Sequence, residues 1–395
     1  MKVHSKLGVF LVALLVVTFL VGYSCTTAPS APKPAESKPI KIGFIGDLTG
    51  PVSGYGQTQK DAVTFACEEV GWELEGRKIE LIIEDGASSP DKTVDKARKL
   101  VETDKVDVVI GPILTDAYIA VAGFLKSYDT PYVYISAGAW EAVKAGRPGA
   151  VFAVNGVDIG EGYVGGAYAA KAGYKTATTI INDIAFGWNT NSGFVKGFED
   201  GGGEVIQTQA LPMATADFLP YLAAMKDADA CGFFLTALDT LTFMRQYRDY
   251  GGKMPLLAFE ATAYTNDVIQ QLGDLGVGVL SNSPWCYNID SPENKAFIAA
   301  FEKWAGRPPD HSLESYYQAV QLFMEAVRMT KGDTSPEAII KAIHSIDKVF
   351  ARGRVTVDSD GWVQGTQYIC KIVNKGAPYG YVFEQFDTMP RPVIR

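Results

Sequence analysis

Side chains that commonly perform catalysis are scarce in this chain. Its three histidines are His4, His311 and His344, and none of them stands in a catalytic pattern. His311 follows two prolines and is predicted to lie in a loop, while His344 is predicted to end a helix, where a cation favours the helix dipole. The nucleophile pattern G-x-S-x-G, the zinc pattern H-E-x-x-H and the P-loop do not occur. We therefore predict that the protein is not an enzyme.

Two short patterns could suggest cofactor or metal chemistry. Glycines at positions 46, 50, 54 and 56 follow a strand and precede a helix, but their spacing is not G-x-G-x-x-G and the loop is longer than a dinucleotide turn requires. The adjacent carboxylates Glu84 and Asp85 are followed by Gly86 and by Ser-Ser-Pro, which favours a strand end and a helix cap. The sequence predicts no cofactor.

The cysteines also argue against a metal site. Beyond Cys25 they are Cys67, Cys231, Cys286 and Cys370, without a C-x-x-C pair or a nearby pair of histidines, so no zinc or other metal is predicted. One or two disulfides are compatible with export, and the pattern does not decide their pairing. Cys67 falls on an apolar helix face and Cys231 at the head of an apolar strand, so both are predicted to be buried free thiols.

The N-terminus reads as an export signal. Lys2 and Lys6 precede an apolar run, residues 7–21, that is short for a membrane span and ends in small residues before Cys25. Residues 1–24 are predicted to be a signal peptide, and Cys25 is predicted to be the lipidated first residue of the mature chain, with an uncleaved membrane anchor as the alternative. The expected location is the periplasm or the cell surface, with membrane contact through the lipid only.

The composition of the next segment, the length of the remaining chain and the net charge further limit the possible classes of protein. Residues 25–39 are rich in Thr, Ala, Pro, Ser and Lys and are predicted to be an extended tether. About 355 residues remain, which favours two domains or lobes. Removal of Lys2 and Lys6 changes the formal net charge from −9 to −11, and such an acidic surface argues against nucleic acid as a partner.

Short β-rich runs alternate with amphipathic helical runs along the chain. This alternation predicts an α/β fold with parallel sheets covered by helices, whose ligands bind beyond the carboxyl ends of the strands. The predicted strands are 40–46, 78–84, 106–110, 132–136, 178–181, 204–211, 232–236, 255–259, 354–357 and 368–373. The predicted helices are 58–70, 91–102, 115–126, 161–172, 194–200, 218–226, 240–250, 292–305, 312–330 and 336–344.

Several motifs, in order, resemble the leucine/isoleucine/valine-binding (branched-chain amino acid) family of periplasmic solute-binding proteins. The first is IGFIGDLTGP at 42–51 with Tyr-Gly at 55–56. The others are Glu-Asp at 84–85 with Ser-Pro at 89–90, VIGP at 109–112 before Thr115, ISAG at 135–138, AFG at 185–187, RQYR at 245–248 and Phe-Glu at 259–260. The resemblance extends from about residue 41 to the C-terminus, and ordered agreement over that length is more specific than any single motif.

The resemblance implies two flavodoxin-like, Rossmann-like lobes with parallel central sheets, joined by three hinge crossings and closing on a ligand. The crossings are expected near Asn155, at residues 281–283 and at 364–365. Lobe 1 is then predicted to comprise residues 40–155 and 283–363. Lobe 2 is predicted to comprise residues 156–282 and 364–395.

The resemblance also implies a ligand site for a zwitterion. Thr115, with amides at a helix start, matches a hydroxyl residue that holds a carboxylate; the carbonyl of Gly138 and the carboxylate of Glu260 match groups that meet an ammonium. Two residues depart from the family pattern. Trp140 replaces a small hydroxyl residue and Thr236 stands near the place of an aromatic residue. The full predicted ligand set is Tyr55, Thr115, Gly138, Ala139, Trp140, Phe186, Thr236 and Glu260.

Plainer roles are open for several of these residues. Thr115 is nearly as well explained as a helix N-cap, and Tyr55 and Phe186 as packing residues. Trp140 fits a surface or a cleft at least as well as a core. Glu260 is the hardest to explain without a ligand, because a carboxylate at a strand end in a cleft needs a partner.

The resemblance implies an extracytoplasmic solute-binding lipoprotein of an ABC importer. Such a protein captures a small amino acid or a related organic acid by lobe closure and delivers it to a membrane permease. One alternative is a ligand-sensing receptor component, and another is a binder of aromatic carboxylates rather than amino acids. An enzyme on the same sheet architecture is a third, disfavoured by the lack of a nucleophile and base.

Overall fold

The computed structural model describes residues 38–135, 140–155, 158–259, 264–377 and 379–389, without the side chains of residues 140, 141 and 158. The predicted signal peptide, Cys25 and most of the predicted tether lie outside the described residues. Gly138, Ala139 and Glu260 lie outside them as well. Among the helices in these ranges, none is long and apolar enough to cross a membrane.

The first part of the chain alternates strands and helices around one sheet. Its strands are β1 Ile40–Gly46, β2 Glu73–Leu74, β3 Arg77–Asp85, β4 Val108–Ile110, β5 Tyr132–Tyr134 and β6 Val151–Ala153. Its helices are α1 Gly56–Glu69, α2 Pro90–Arg98, α3 Thr115–Leu125 and α4 Trp140–Ala145, and α2 continues into a π-helical segment, Lys99–Asp104. The strand order is β2-β3-β1-β4-β5-β6, with β2 antiparallel and the other pairings parallel.

The second part repeats this alternation around another sheet. Its strands are β7 Thr176–Asn182, β8 Glu204–Leu211, β9 Ala230–Phe234, β10 Leu256–Leu257 and β11 Leu280–Ser283. Its helices are α5 Asp158–Lys171, α6 Ala185–Asp200, α7 Leu219–Ala224, α8 Ala237–Asp249 and α9 Asn266–Leu272. The pairings among these strands are parallel.

The last part of the chain adds helices, a small antiparallel sheet and two further strands of the second sheet. Helices α10 Pro292–Ala305, α11 His311–Met329 and α12 Pro336–His344 precede a small antiparallel sheet of β12 Asp347–Phe350, β13 Gly353–Val357 and β14 Val363–Gln364. Strands β15 Gln367–Gly376 and β16 Gly380–Met389 then join the second sheet antiparallel, giving the order β16-β15-β11-β10-β9-β7-β8. We call the first sheet with its helices lobe 1 and the second sheet with its helices lobe 2.

Helices cover both faces of each central sheet because successive strand residues point to opposite faces. In β1, Phe44 packs into a large apolar cluster with α1 and α11, whereas its neighbour Ile45 packs into a separate cluster with α3. In β9, Phe233 packs toward α8, whereas Phe234 packs toward α5 and α6. The fold is the predicted α/β arrangement with parallel central sheets.

Some local predictions need correction. His311 is not in a loop: it is the first residue of α11 and is only 1% exposed. Helix α6 begins at Ala185, nine residues before the predicted start. Its first half contains Gly187 and three residues of low helix propensity, Asn, Thr and Asn at 189–191. Packing of α6 against α5 outweighs that weak propensity.

The cysteines of the described residues fall into two classes. Cys67 and Cys231 are buried and free, as predicted, and burial raises the pKa of each thiol to about 12. Cys286 and Cys370 form a disulfide that joins the segment after β11 to β15. The sequence pattern could not pair these two cysteines, because they are 84 residues apart and only the fold brings them together.

Candidate functional site

A cavity lies where lobe 1 faces lobe 2. Loops that follow four parallel strands supply its lining: β1 and β4 in lobe 1, and β7 and β9 in lobe 2. The eight lining residues are Val52, Tyr55, Ile113, Leu114, Thr115, Ile184, Phe186 and Thr236. Hydrocarbon, two aromatic rings and hydroxyl groups therefore dominate the described lining, and none of these eight side chains carries a charge.

Sheet topology explains the position of this cavity. In lobe 1 the chain passes from β1 to β3 on one side and then returns to β4 on the other side of β1. In lobe 2 it passes from β7 to β8 and returns to β9 on the opposite side of β7. The loops after such neighbouring strands diverge and leave a crevice, which is where open α/β sheets bind ligands. The cavity lies at the crevices of both sheets.

The loop that carries Val52 and Tyr55 is held by the strand end that follows in the sequence. Asp85, at the end of β3, accepts hydrogen bonds from the N–H groups of Leu48 (3.0 Å) and Thr49 (3.2 Å). Val52 donates its N–H to Ser88 Oγ at 3.2 Å. Asp85 is thus a loop-positioning residue, in agreement with its interpretation as a strand end rather than as a catalytic acid.

A buried carboxylate lies behind the lobe 1 lining. Asp47, directly after β1, is fully buried, and its Oδ2 accepts the N–H of Ile113 at 3.1 Å. Its own N–H donates to Gln59 Oε1 at 2.7 Å, and Gln59 Nε2 donates to Tyr316 O–H at 2.9 Å. Burial raises the pKa of Asp47 to about 6, against the opposing effect of the Ile113 N–H. Asp47 therefore fixes the loop before α3.

On the lobe 2 side, Thr236 is held by a buried polar network. Its N–H donates to Asn182 Oδ1 at 2.7 Å, and its Oγ1 donates to Asp239 Oδ2 at 3.0 Å. Asn182 Nδ2 also donates to Asp239 Oδ2, at 2.8 Å. The Asp239 carboxylate further accepts the N–H groups of Ala214 and Thr215 at 3.1 and 2.9 Å. Four donors thus stabilise the buried charge of Asp239.

A hydrogen bond links the lobes beside the cavity. The N–H of Ala237, in the first turn of α8, donates to the hydroxyl oxygen of Tyr55 at 3.1 Å. The two residues are 182 positions apart in the sequence, and both are buried. Their contact ties the loop after β1 to the amino end of α8.

Four of the eight residues predicted to bind ligand line this cavity: Tyr55, Thr115, Phe186 and Thr236. Leu114, not Thr115, occupies the N-cap position of α3. Tyr55 and Phe186 also pack against apolar clusters, so packing and lining are not exclusive. Trp140 is the first residue of α4, but its side chain lies outside the description. Gly138, Ala139 and Glu260 lie outside the described residues and are not placed.

Sequence reasoning missed other residues of the site. Val52, Ile113, Leu114 and Ile184 are apolar neighbours of predicted residues in the same loops, so their positions next to strand ends could have indicated them. Asp239 was detectable through the spacing T-x-x-D at the start of α8, which resembles a capping box. Within the described ranges, no group of three or more His, Cys, Asp or Glu side chains could hold a metal ion.

A family model described as "Periplasmic binding protein" matches residues 39–377. The chain belongs to this family. The cavity between its two α/β lobes is therefore the candidate ligand site.

Individual relatives agree with the family assignment. The chain is 26% identical over 373 residues to the Leu/Ile/Val-binding protein homolog 6 of Brucella melitensis, covering 90% of this chain and 94% of that protein. A solved ABC transporter solute-binding protein of Rhodopseudomonas palustris, in complex with 3,4-dihydroxybenzoic acid, is 26% identical with a TM-score of 0.82, covering 90% and 98% of the two chains. Another from R. palustris, in complex with 4-hydroxybenzoate, is 25% identical with a TM-score of 0.81, covering 90% and 98%.

The chain is thus an exported solute-binding protein of an ABC importer, with a small-molecule ligand and a membrane permease as partners. It is a transport protein and not an enzyme. The two-lobe α/β fold and the family agree with the resemblance of the sequence motifs.

Proposed function

We propose that the ligand is a small aromatic carboxylate, enclosed when the lobes close. The observation that carries this proposal is the described lining, which offers Tyr55, Phe186 and aliphatic side chains to a flat apolar body but no charged side chain. The two solved relatives bound to hydroxylated benzoic acids support it. Trp140 is proposed as a further wall of the site, together with Ala139.

The carboxylate is proposed to lie at the amino end of α3. Thr115 is the first residue of this 11-residue helix and lines the cavity, and helix amino ends favour anions. The Thr115 hydroxyl and nearby backbone N–H groups would bind the carboxylate. The apolar residues Ile113 and Leu114 beside them exclude water, which strengthens such hydrogen bonds.

A branched-chain or aromatic amino acid is the second candidate, supported by the name of the Brucella relative. In that case the carbonyl of Gly138 and the carboxylate of Glu260 are proposed to hold the ammonium. The two candidates differ in one requirement, since an aromatic carboxylate needs no anionic partner and an amino acid does.

Calorimetric titration can separate these candidates. Benzoate, 4-hydroxybenzoate, leucine and phenylalanine would be titrated into the purified mature chain and into the Glu260→Gln variant. If an aromatic carboxylate is the ligand, Glu260→Gln retains its affinity. If an amino acid is the ligand, the variant loses about 2 to 5 kcal/mol of binding free energy, because a desolvated cation loses its partner. Failure of all four compounds to bind would contradict both candidates.

The role of Thr115 has its own test. Thr115→Val should weaken binding by about 1.5 to 3 kcal/mol, or roughly 10- to 150-fold, because a hydrogen bond to a charged group is lost. Thr242→Val is a matched control, since Thr242 is an α8 residue whose hydroxyl bonds the carbonyl of Leu238. Equal affinities of the two variants would argue against a carboxylate at α3.

Membrane attachment through Cys25 is proposed on the sequence pattern alone. Replacement of Cys25 by Ser should abolish the processed, membrane-associated form, because only a cysteine thiol accepts the lipid. Unchanged fractionation of the variant would contradict lipidation. The lobe boundaries at residues 155–156, 282–283 and 363–364 are likewise proposed, with hinge crossings near Asn155, at residues 281–283 and at 364–365.

A further inference from the structure

The hydroxyl of Thr236 is restricted in what it can offer to a ligand. Its proton is directed to Asp239 Oδ2 at 3.0 Å, and Asp239 is only 1% exposed. Asn182 takes part in the same network through other atoms: its Oδ1 accepts the N–H of Thr236 and its Nδ2 donates to Asp239. The network therefore fixes the direction of the Thr236 O–H bond.

The Asp239 carboxylate accepts the hydrogen bond from Thr236 and donates none to it. It accepts hydrogen bonds from Asn182 Nδ2 and from the N–H groups of Ala214 and Thr215, in addition to that from Thr236. A carboxylate whose oxygens accept four N–H and O–H donors serves as a hydrogen-bond acceptor only. The hydroxyl oxygen of Thr236 can then present only lone pairs to another group.

The lone pairs of Thr236 are not used to cap the helix. Thr236 occupies the N-cap position of α8, but its side chain makes no cap hydrogen bond to the described backbone of that helix. In a usual cap the hydroxyl oxygen accepts an N–H of the first turn. The N–H of Ala237, the first residue of α8, is not a donor that such a cap binds, and it donates to Tyr55 across the lobes. Acceptor capacity of Thr236 thus remains for the cavity that it lines.

We infer that Thr236 is a specificity-determining residue that selects a ligand with a hydrogen-bond donor at its lobe 2 end. A hydroxyl or amino group on the ligand would donate to Thr236 Oγ1. A carboxylate at this end would meet lone pairs with the buried negative charge of Asp239 behind them, and would be rejected. This rests on the proposed function and deepens it, because it orients the ligand with its carboxylate in lobe 1.

The preferred ligand class is therefore an aromatic carboxylate with a donor group remote from the carboxylate. Three probes of similar size test the donor: 4-hydroxybenzoate, 4-aminobenzoate and 4-methoxybenzoate, with benzoate as the unsubstituted reference. The hydroxyl and amino probes can donate, whereas the methoxy probe can only accept. Comparison of 4-hydroxybenzoate with 4-aminobenzoate also shows whether a hydroxyl or an amino group is the preferred donor.

Titration calorimetry of the mature chain is expected to show at least about tenfold tighter binding of a donor-bearing probe than of 4-methoxybenzoate. In Thr236→Val, which keeps the shape but removes the oxygen, this discrimination should shrink to within about threefold. Thr236→Ser should keep the discrimination, and thermal unfolding of both variants would verify that they fold.

Two results would overturn the inference in different ways. If benzoate and 4-hydroxybenzoate bind equally to the parent and Thr236→Val leaves both unchanged, the donor requirement is wrong while the proposed ligand class stands. If none of the four benzoates binds to the parent chain, the proposed class fails and the inference fails with it.

Discussion

Two buried ionisable side chains respond to burial with pKa shifts in opposite directions. Burial raises the pKa of Asp47 to about 6 and lowers that of His311 to about 3, because in each case the charged form is disfavoured. Neither ring nitrogen of His311 and only one carboxylate oxygen of Asp47 has a hydrogen-bond partner among the described residues. Acidification thus removes the destabilising effect of the buried Asp47 charge, but it destabilises the folded state at His311, because the unfolded state binds a proton there more readily. The two effects on the free energy of unfolding partly cancel.

Substitution of Asp47 should show how much its carboxyl group contributes to the pH dependence of the free energy of unfolding. The folded pKa, about 6, lies above the ordinary value of 3.8, so the stabilising contribution is complete below about pH 4 and is lost as pH rises through 6. A shift of about two units corresponds to about 3 kcal/mol in the free energy of unfolding. Asp47→Asn should therefore be more stable than the parent at pH 7.5, with the difference shrinking toward pH 4.5 in urea titrations.

Asp85 provides a control of opposite sign. Its partial burial alone would raise its pKa, but hydrogen bonds from the Thr49 hydroxyl and from the N–H groups of Ala87, Thr49 and Leu48 together lower it. Its contribution is present at neutral pH and is lost as pH falls. Asp85→Asn should be less stable than the parent at pH 7.5. A similar pH dependence of the two variants would refute this account of Asp47.

At the residue scale, the resemblance of ordered motifs to the family was the signal for the predicted site. Thr115 and Thr236 were selected through that resemblance, and each also follows a buried strand whose carboxyl end faces the crevice. The Asn182–Asp239 network could not be predicted in full. Its members are up to 57 residues apart, and their contact depends on β7 and β9 being neighbours. Hydrogen-bond direction, which determines what Thr236 can offer, is a property of that tertiary contact.

At the element scale, helices α5 and α6 pack at close backbone approach through glycines. A Cβ atom added at Gly166 would collide with the backbone carbonyl of Phe194, and one at Gly162 would collide with that of Thr190. Because backbone cannot move aside like a flexible side chain, the two helices would have to separate. Helix α6 carries Phe186 at its amino end, so this packing also positions the cavity wall.

Gly166→Ala should therefore destabilise the protein by about 1 to 3 kcal/mol, since overpacking forces the backbone apart. Gly123→Ala is a matched control, because Gly123 is an exposed residue of α3 with nothing within 4 Å of an added Cβ. There the same substitution should stabilise by up to about 1 kcal/mol through helix propensity. Urea unfolding measures both, and equal effects would contradict the close packing of α5 on α6.

Element prediction succeeded where apolar periodicity agreed with local propensity. The bounds of β1, β8, α10 and α12 were predicted from the sequence without error. The short strands β6 and β11 were missed and β10 was predicted too long, because two to four residues carry little periodicity. Strand β16 was missed as well; it forms by pairing with β15, and its outer residues are partly exposed. Edge strands of this kind are specified by their partner more than by their own sequence.

At the scale of the whole molecule, a buried arginine connects residues beside two of the proposed crossings between the lobes. Arg352 Nη1 donates to the carbonyl of Val154 and to Asn155 Oδ1, each at 3.1 Å, just after β6. Its Nε donates to both carboxylate oxygens of Glu314 in α11 at 3.0 and 3.1 Å. The hydroxyl of Tyr368, in β15, donates to the carbonyl of Arg352 at 3.2 Å. We expect lobe rotation to occur about this fixed point.

Lobe closure should be measurable at a distance from Arg352, at the contact between Tyr55 and Ala237. We expect saturating ligand to decrease the radius of gyration in small-angle scattering, because the described site contacts come from both lobes. Tyr55→Phe removes the acceptor of the Ala237 N–H and should weaken ligand binding by about 0.5 to 1.5 kcal/mol, since the closed form loses one hydrogen bond. Tyr250→Phe, at an exposed tyrosine after α8, is the control and should leave both readouts unchanged. A ligand-saturated parent with an unchanged radius of gyration would contradict closure, because a two-lobe clamp must become more compact when ligand bridges its lobes.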